Sequence, residues 1–421
     1  MHIRFLLISA GLVLITPTAR ATYSIAACDT AMRACGVAVQ TNNLAVGASV
    51  PYAKAGVGAI ASQFETNPMY GPRGLALLAA GKSPEETARQ ILSEDGNFDG
   101  AGPEARQVGI VSVDGRAFVH TGDEAANAKW AGSRIGNGYS IQGNGLAGPQ
   151  VLEEMEHAFL NTKGSLAERL MAALIAGDHA GGQTTGRESA ALLVSTPAGF
   201  PIDIDLRVDH SANPVADLQV LLNIQMARQQ IVQARIAAGK GQFEQAKALL
   251  ISGVSRAPTW PRIWLQAARV AESIEEPELT VQYLSIVFTM NPAWIDTEIG
   301  GGKYEELGAD PLFHRWVTVQ QQKAALADSQ QFASSKTATA DTRMQIANRL
   351  LEVGKPREAL AFLDGMSGGK AISDVLLLKA TAYAALGQSA ESKNVCRAGL
   401  EGDPKDSRLR LRCTRLLRGD F

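Results

Sequence analysis

The sequence predicts an α+β domain over residues 22–213 and an all-α domain over 214–421, after a short segment over 1–21. A chain of 421 residues is long enough for more than one hydrophobic core. Up to about Pro214, groups of several strands are followed by groups of helices, whereas helical periodicity dominates beyond it. Strands and helices in separate blocks are typical of a layered α+β domain rather than of an alternating, doubly wound one.

The strand and helix signals of the first domain follow one another in a clear order. Short apolar runs between turn residues predict strands. A Gly-Pro pair and a Ser-to-Glu capping box predict where the first two helices begin. The predicted strands cover 22–28, 36–40, 44–50, 56–63, 107–113, 116–121, 139–144, 189–195 and 202–208, and the predicted helices cover 71–80, 84–94, 150–161 and 166–176.

Recurring glycine turns characterise the second domain. Gly241, Gly354 and Gly387 are each followed five residues later by a small residue, and the last two glycines are 33 residues apart. This spacing resembles that of tetratricopeptide repeats, and the best copy covers 374–403. A plain irregular helical bundle is the alternative. A glycine-rich stretch over 299–311 predicts a loop inside the array.

Residues 1–21 are predicted to be a secretory signal peptide. Arg4 precedes an apolar run over 5–15, which is too short to span a bilayer, and an Ala-Arg-Ala cleavage site ends at Ala21. The alternative is an uncut N-terminal anchor helix. Cleavage predicts a periplasmic or secreted protein with no membrane span.

Composition excludes several functional classes. The 40 Lys and Arg residues nearly balance 42 Asp and Glu residues, so nucleic-acid binding through bulk charge is not expected. The six histidines do not fall at metal-ligand spacings and no Cys-x-x-Cys motif is present, so we predict no metal site and no cofactor.

Thr22 is the main candidate for chemistry. Cleavage after Ala21 makes it the first residue, with a hydroxyl nucleophile and a free α-amine together. Such an amine titrates at about 7.7–8.0 and can accept a proton near neutral pH. The alternative is that Thr22 has no role, because some residue must come first.

Four cysteines in an exported chain predict disulfides. Cys28 and Cys35 flank the first hairpin turn, and Cys396 and Cys413 lie about two helical turns on either side of a loop. We therefore predict the pairs Cys28–Cys35 and Cys396–Cys413, with four buried free thiols as the alternative. The first bridge is expected to hold the strand that carries Thr22, so that reduction loosens the candidate site.

Several blocks of the first domain follow one another in the order of a known family: Thr22-Tyr23-Ser24-Ile25-Ala26-Ala27, Tyr70-Gly71-Pro72-Arg73-Gly74-Leu75, Gln142-Gly143-Asn144, Gly186-Arg187 and Ser189-Ala190-Ala191-Leu192. In these blocks the domain resembles the family known as domain of unknown function 1028. The resemblance implies an N-terminal nucleophile hydrolase-like fold, an αββα sandwich of two β-sheets between helical layers, in which members begin at the threonine. The biochemical function of that family is not established, so the resemblance implies a fold and a candidate chemistry without a substrate.

Two charged residues are predicted to assist Thr22. Lys54 resembles the lysine that tunes the threonine in proteasome-like relatives, the alternative being an exposed loop lysine. Asp29 is a candidate for orienting the amine, although an Asp at a strand end is more often a turn former.

Four further residues are candidates for substrate binding. Arg73 is expected to grip a substrate carboxylate or to form a structural salt bridge. Gly143 and Asn144 are candidate oxyanion donors, or an ordinary turn pair. Arg187 is expected at the rim of the pocket.

Together these features predict an exported amidohydrolase that acts on an unidentified small amide or peptide. Its helical repeats are expected to bind a protein partner. The alternative is a non-catalytic periplasmic binding or scaffold protein that acts through those repeats.

Overall fold

The computed structural model describes residues 21–200, 202–291, 293, 294, 298, 304, 339–366, 372–402, 413 and 414. These form two compact units. The first contains the described residues up to Gln230 together with Ser255–Ala257, and the second contains the others. The predicted signal peptide before Ala21 and most of the predicted loop over 299–311 lie outside the described residues.

Two antiparallel sheets form the centre of the first unit. One has six strands in the order β10-β9-β2-β1-β8-β7, and the other has four in the order β3-β4-β5-β6. The strands are β1 (Thr22–Asp29), β2 (Ala34–Thr41), β3 (Pro51–Lys54), β4 (Gly58–Phe64), β5 (Arg106–Ser112), β6 (Ala117–Thr121), β7 (Gly132–Gly136), β8 (Tyr139–Asn144), β9 (Ser189–Ser195) and β10 (Ile204–Val208).

Helices cover the outer face of each sheet. Those between β4 and β5 pack against the four-stranded sheet, and those after β8 and β10 pack against the six-stranded sheet. The unit is therefore a mixed α/β structure with the two sheets face to face between helices. The helices are α1 (Tyr70–Ala79), α2 (Pro84–Ser93), α3 (Asp123–Ala126), α4 (Gln150–Asn161), α5 (Leu166–His179) and α6 (Pro214–Gly239), which continues into the second unit.

Alternation along the central strand β1 separates two cores. Tyr23 and Ile25 pack against the helices, whereas Ala26 and Cys28 pack against the opposite sheet. Successive side chains of a strand point to opposite faces. Thr22 and Ser24 therefore share the inter-sheet face with Ala26.

The prediction of a strand over 44–50 is wrong. A short 3-10 helix, Val46–Ala48, occupies that stretch, and β3 follows it. Ala45 has a positive φ of 54°, and the Val46 amide donates to the Ser189 hydroxyl, so the chain turns where an extended strand was expected. The prediction also omitted α3 and β7, because β7 is a half-exposed strand with glycine at each end.

The structure contains two disulfides. Cys28 lies directly opposite Cys35 in the β1–β2 pair, with their Cα atoms 4.1 Å apart. Cys396 is bonded to Cys413, with a Cα–Cα distance of 5.5 Å.

Every regular secondary-structure element that the structure describes in the second unit is a helix. None of the described helices is both long and apolar enough to cross a membrane. After α6, the helices are α7 (Phe243–Arg256), α8 (Pro261–Ser273), α9 (Pro277–Met290), α10 (Ala340–Glu352), α11 (Pro356–Leu363), α12 (Ile372–Ala385) and α13 (Ser389–Gly402).

The three predicted glycine turns share one geometry. Gly241, Gly354 and Gly387 have φ of 72°, 74° and 73°, a conformation that favours glycine. In each turn the amide of the following residue donates to the carbonyl five residues before it, which is the helix-ending bond of a Schellman motif. The turn between α8 and α9 repeats this bond with Glu275, at φ 59°, in the glycine position.

Candidate functional site

Thr22 lies at one end of the space between the two sheets. It is the first residue of β1 and pairs with Thr41 of β2 on one side and Asn144 of β8 on the other. Its side chain is buried, with the residue 4% exposed. We call this region the polar end and define it by Thr22, Ser24, Thr41, Gln63, Gln107 and Asn144.

The Thr22 hydroxyl is hydrogen-bonded to a second threonine. The two Oγ1 atoms of Thr22 and Thr41 are 3.0 Å apart. The Thr41 hydroxyl donates to the Ala21 carbonyl at 2.9 Å, so its single proton is already used. It follows that Thr22 is the donor to Thr41.

Three buried amide side chains form a network behind these threonines. Gln63 Nε2 donates to the Thr22 carbonyl at 3.3 Å and to Gln107 Oε1 at 2.8 Å. Gln107 Nε2 donates to the Gly143 carbonyl at 3.2 Å, and Asn144 Nδ2 donates to Gln107 Oε1 at 2.9 Å. Backbone carbonyls can only accept, and therefore they fix the direction of every bond in the network.

The network leaves Asn144 with a free acceptor. Among the described residues, its Oδ1 atom has no hydrogen-bond partner, although Asn144 is fully buried. The side-chain Nδ2 of Asn144 donates to Gln107, and the role of Asn144 as an oxyanion donor stays a prediction. Gly143 is paired with Tyr23 on one side and Gly132 on the other, inside the sheet, rather than in an open turn.

Asp29 is not near Thr22, and the predicted role in orienting the amine is wrong. It ends β1, seven residues along the strand, which corresponds to about 24 Å. Its Oδ1 atom accepts from the amides of Ala31 and Met32, so Asp29 stabilises the hairpin turn.

Lys54 also lies at the opposite end, which overturns its predicted role beside the threonine. It is exposed and pairs with Gly58, five residues along β4 from Gln63, or about 17 Å. The next residue, Ala55, donates its amide to Ser195, which pairs with Cys35. A strand that runs away from Thr22 therefore carries the lysine out of reach.

The two predicted arginines form ion pairs. On the surface, the Arg73 guanidinium donates two hydrogen bonds to the Glu94 carboxylate, at 2.8 and 2.9 Å. This is the structural salt bridge that the sequence offered as the alternative to substrate binding. The hydrogen bonds from Arg73 lower the pKa of Glu94 to about 2. Arg187 is 2.6 Å from Asp178 and precedes Glu188, whose amide donates to the Thr41 carbonyl. The structure thus places Arg187 near the polar end, with its guanidinium paired.

Tyr23 connects this ion pair to β1 on the helix-facing side. Its side chain is buried against α5, where its hydroxyl donates to the Leu174 carbonyl at 3.4 Å. Burial and the Asp178 carboxylate raise the pKa of Tyr23 well above its ordinary value, against the opposing effect of Arg187. The phenol is therefore protonated at neutral pH, and it lies on the other face of the strand from the Thr22 hydroxyl.

Sequence reasoning missed Thr41, Gln63 and Gln107. A signal for the two glutamines was present, because each occupies an inward position of a strand that is otherwise mainly apolar. Fully buried glutamines are uncommon and require hydrogen-bond partners. Within the described ranges, no group of three His, Cys, Asp or Glu residues could hold a metal ion.

Comparison with known proteins identifies the first unit. The model of a family of unknown function, DUF1028, matches residues 22–218. The crystal structure of protein SPO2555 from Silicibacter pomeroyi, which carries the same family label, is 32% identical; the match covers 48% of this chain and 84% of that chain, with a TM-score of 0.43.

Other matches add nothing on function. The structure of Naa15/Naa10 bound to HypK-THB is 15% identical, with 48% of this chain and 36% of that chain covered and a TM-score of 0.24. No curated protein matches the chain. Through residues 22–218, the chain belongs to DUF1028, a family of unknown function.

Proposed function

We propose that this protein is an exported amidohydrolase whose nucleophile is Thr22, made N-terminal by removal of residues 1–21, on an N-terminal nucleophile hydrolase-like sandwich. One observation carries the proposal. Thr22 begins the central strand, and its hydroxyl lies in the polar end between the sheets, 3.0 Å from the hydroxyl of Thr41. Because Thr22 begins the strand, cleavage before it gives the same residue a free α-amine, which can act as a general base on the buried hydroxyl.

The reaction follows from these two groups. The neutral α-amine takes the hydroxyl proton while Oγ attacks the amide carbonyl of the substrate. Collapse of the tetrahedral intermediate breaks the C–N bond, and the protonated amine returns the proton to the leaving amine. Water then attacks the resulting ester, releases the carboxylic acid and restores the Thr22 hydroxyl.

The surroundings of Thr22 favour the neutral form of that amine. The residues that contact the Thr22 hydroxyl and carbonyl or pair with Thr22 are Thr41, Gln63 and Asn144, all uncharged and buried. Burial among neutral groups disfavours a charged amine, and an amine must be neutral to act as a base. The polar end thereby replaces the roles that the sequence suggested for Lys54 and Asp29.

Covalent labelling tests the proposal. The processed chain, starting at Thr22, is treated with a β-lactone and the modified residue is located by mass spectrometry. We expect one label on Thr22, none in Thr22→Ala, and slower labelling in Thr22→Ser, with the exposed Thr30→Ala as a matched control that labels normally. Equal labelling of wild type and Thr22→Ala, or an exported protein that starts at another residue, excludes this function.

A second candidate is a non-catalytic protein that binds a partner through tetratricopeptide-like repeats. The recurring turn geometry of the second unit favours it. A cavity of about 240 Å³ there is lined by Arg262, Leu265, Gln266, Arg269, Trp294 and Glu298. If this second function is correct, a processed Thr22→Ala chain should support the cell as well as the wild-type chain does. If the protein is a hydrolase, the variant should fail, because hydrolysis requires the hydroxyl.

A further inference from the structure

Ala21, the residue before Thr22, is held in place by burial and by hydrogen bonds to its backbone. The residue is fully buried, although it stands before the first strand. Its amide donates to Asn42 Oδ1 at 3.2 Å, and its carbonyl accepts from the Thr41 hydroxyl at 2.9 Å. Both polar groups of its backbone are therefore held by side chains at the end of β2.

These two side chains are themselves fixed. Asn42 Nδ2 donates to Thr185 Oγ1 at 2.9 Å, which turns its Oδ1 atom toward Ala21. Thr41 Oγ1 also accepts from Thr22, so its proton points to the Ala21 carbonyl. Removal of Ala21 takes away the carbonyl to which the Thr41 hydroxyl donates and the amide that donates to Asn42 Oδ1.

We infer that, in the processed protein, the space of Ala21 binds the residue on the acyl side of the amide to be cleaved. This inference rests on the proposed function and names its substrate class: peptides or N-acylated amino-acid amides with a small uncharged residue at that position. Thr41 donates to the acyl carbonyl, and Asn42 accepts from the N–H of the same residue. Alanine fits this position because Ala21 is fully buried in the unprocessed chain.

Size selectivity should be strong at an enclosed position. One additional methylene changes discrimination by about 10-fold or more, and a side chain larger than the space must displace its walls. A residue that lacks the N–H cannot donate to Asn42 Oδ1, which also weakens binding.

Protection of Thr22 from the β-lactone measures this binding without requiring turnover. The probes are N-acetyl-alaninamide, N-acetyl-leucinamide and O-acetyl-lactamide, in which an ester oxygen replaces the N–H. We expect N-acetyl-alaninamide to protect at roughly 10-fold lower concentration than either of the others. The exchange of N–H for oxygen tests the Asn42 contact without altering the protein.

Variants of Asn42 complete the test. Asn42→Ala should make the alanine and lactate probes equal, whereas Asn161→Ala, an exposed asparagine on α4, should leave their ratio unchanged. If Thr22 is labelled but the three probes protect equally, the binding inference is wrong and the hydrolase proposal stands. If Thr22 is not labelled, binding of the same three probes to the processed chain is measured by calorimetry, which tests the binding site separately from the nucleophile. Equal binding heats for the three probes, or no heat at all, would overturn the binding inference.

Discussion

At one end of the space between the sheets, Ala26, Val37 and Val111 pack around the Cys28–Cys35 bridge. At the other end lies the polar end, whose residues come from β1, β2, β4, β5 and β8. The disulfide end, which we define by those five residues, is stabilised by apolar burial and a covalent bond. The polar end is stable only while its buried amides stay hydrogen-bonded. A fold that places such a network where apolar residues would also fit is typical of a functional site.

A buried ion pair lies behind the polar end, on the helix-facing side of β5. Arg106 and Asp95 are almost wholly buried and 2.9 Å apart, and Tyr70 also donates to Asp95. Asp95→Asn leaves the arginine charge uncompensated and should lower the free energy of unfolding by about 3–5 kcal/mol. Urea denaturation measures this, with the exposed Asp114→Asn as a control that changes little. If Asp95→Asn lowered the free energy of unfolding only slightly, the buried ion pair would not contribute as stated.

The same pair predicts a response to acid. Burial alone would raise the pKa of Asp95, but hydrogen bonds from Arg106, Tyr70 and Asn67 outweigh it and hold the pKa below its usual range. Its stabilising contribution is therefore complete above the unfolded pKa of about 3.9 and is lost as the pH falls through the lower folded value. Denaturation from pH 7 to pH 2 should be less pH-dependent in Asp95→Asn than in wild type.

Replacing Gln107 tests whether the polar end depends on its network. Gln107→Met keeps the volume but removes the partners of Gln63, Asn144 and the Gly143 carbonyl. We expect a loss of about 3 kcal/mol in unfolding free energy, and slower labelling of Thr22. Gln90→Met, on the outside of α2, serves as the control. Unchanged stability in Gln107→Met would mean that the network contributes nothing.

Removing the first disulfide should separate stability from the site. The chain-entropy model gives about 2.5 kcal/mol for a bridge with this sequence separation of 7, so the double variant Cys28→Ala, Cys35→Ala should unfold more easily by that amount. Thr22 lies about 20 Å along the strand, and its labelling should stay within twofold of wild type. A folded double variant that no longer labels would support the expectation that the bridge holds the site.

The smallest effect is expected for Arg73. Its guanidinium is engaged by Glu94 on the surface, and exposed pairs contribute little. Arg73→Ala should therefore change neither the thermal unfolding temperature nor the labelling of Thr22 measurably. A marked loss of labelling would restore Arg73 as a substrate-binding residue.

Much of the fold was predictable because its signals are local. Apolar runs, the capping box at Ser83 and the glycines at the helix turns act over a few residues. The stretch at 44–50 was mispredicted because a contact to Ser189, distant in sequence, competes with strand formation. The turn at Glu275 has no glycine to mark it in the sequence, although it makes the same helix-ending bond.

The sequence by itself determined which residue could be a nucleophile and which cysteines lie close enough along the chain to pair. Only the tertiary structure decided what surrounds Thr22. Asp29 and Lys54 were assigned to Thr22, although the length of β1 carries Asp29, and the pairing of β3 with β4 carries Lys54, to the other end. Thr41, Gln63, Gln107 and Asn144 come from four strands, and they meet because two sheets stack face to face, an arrangement set by long-range packing.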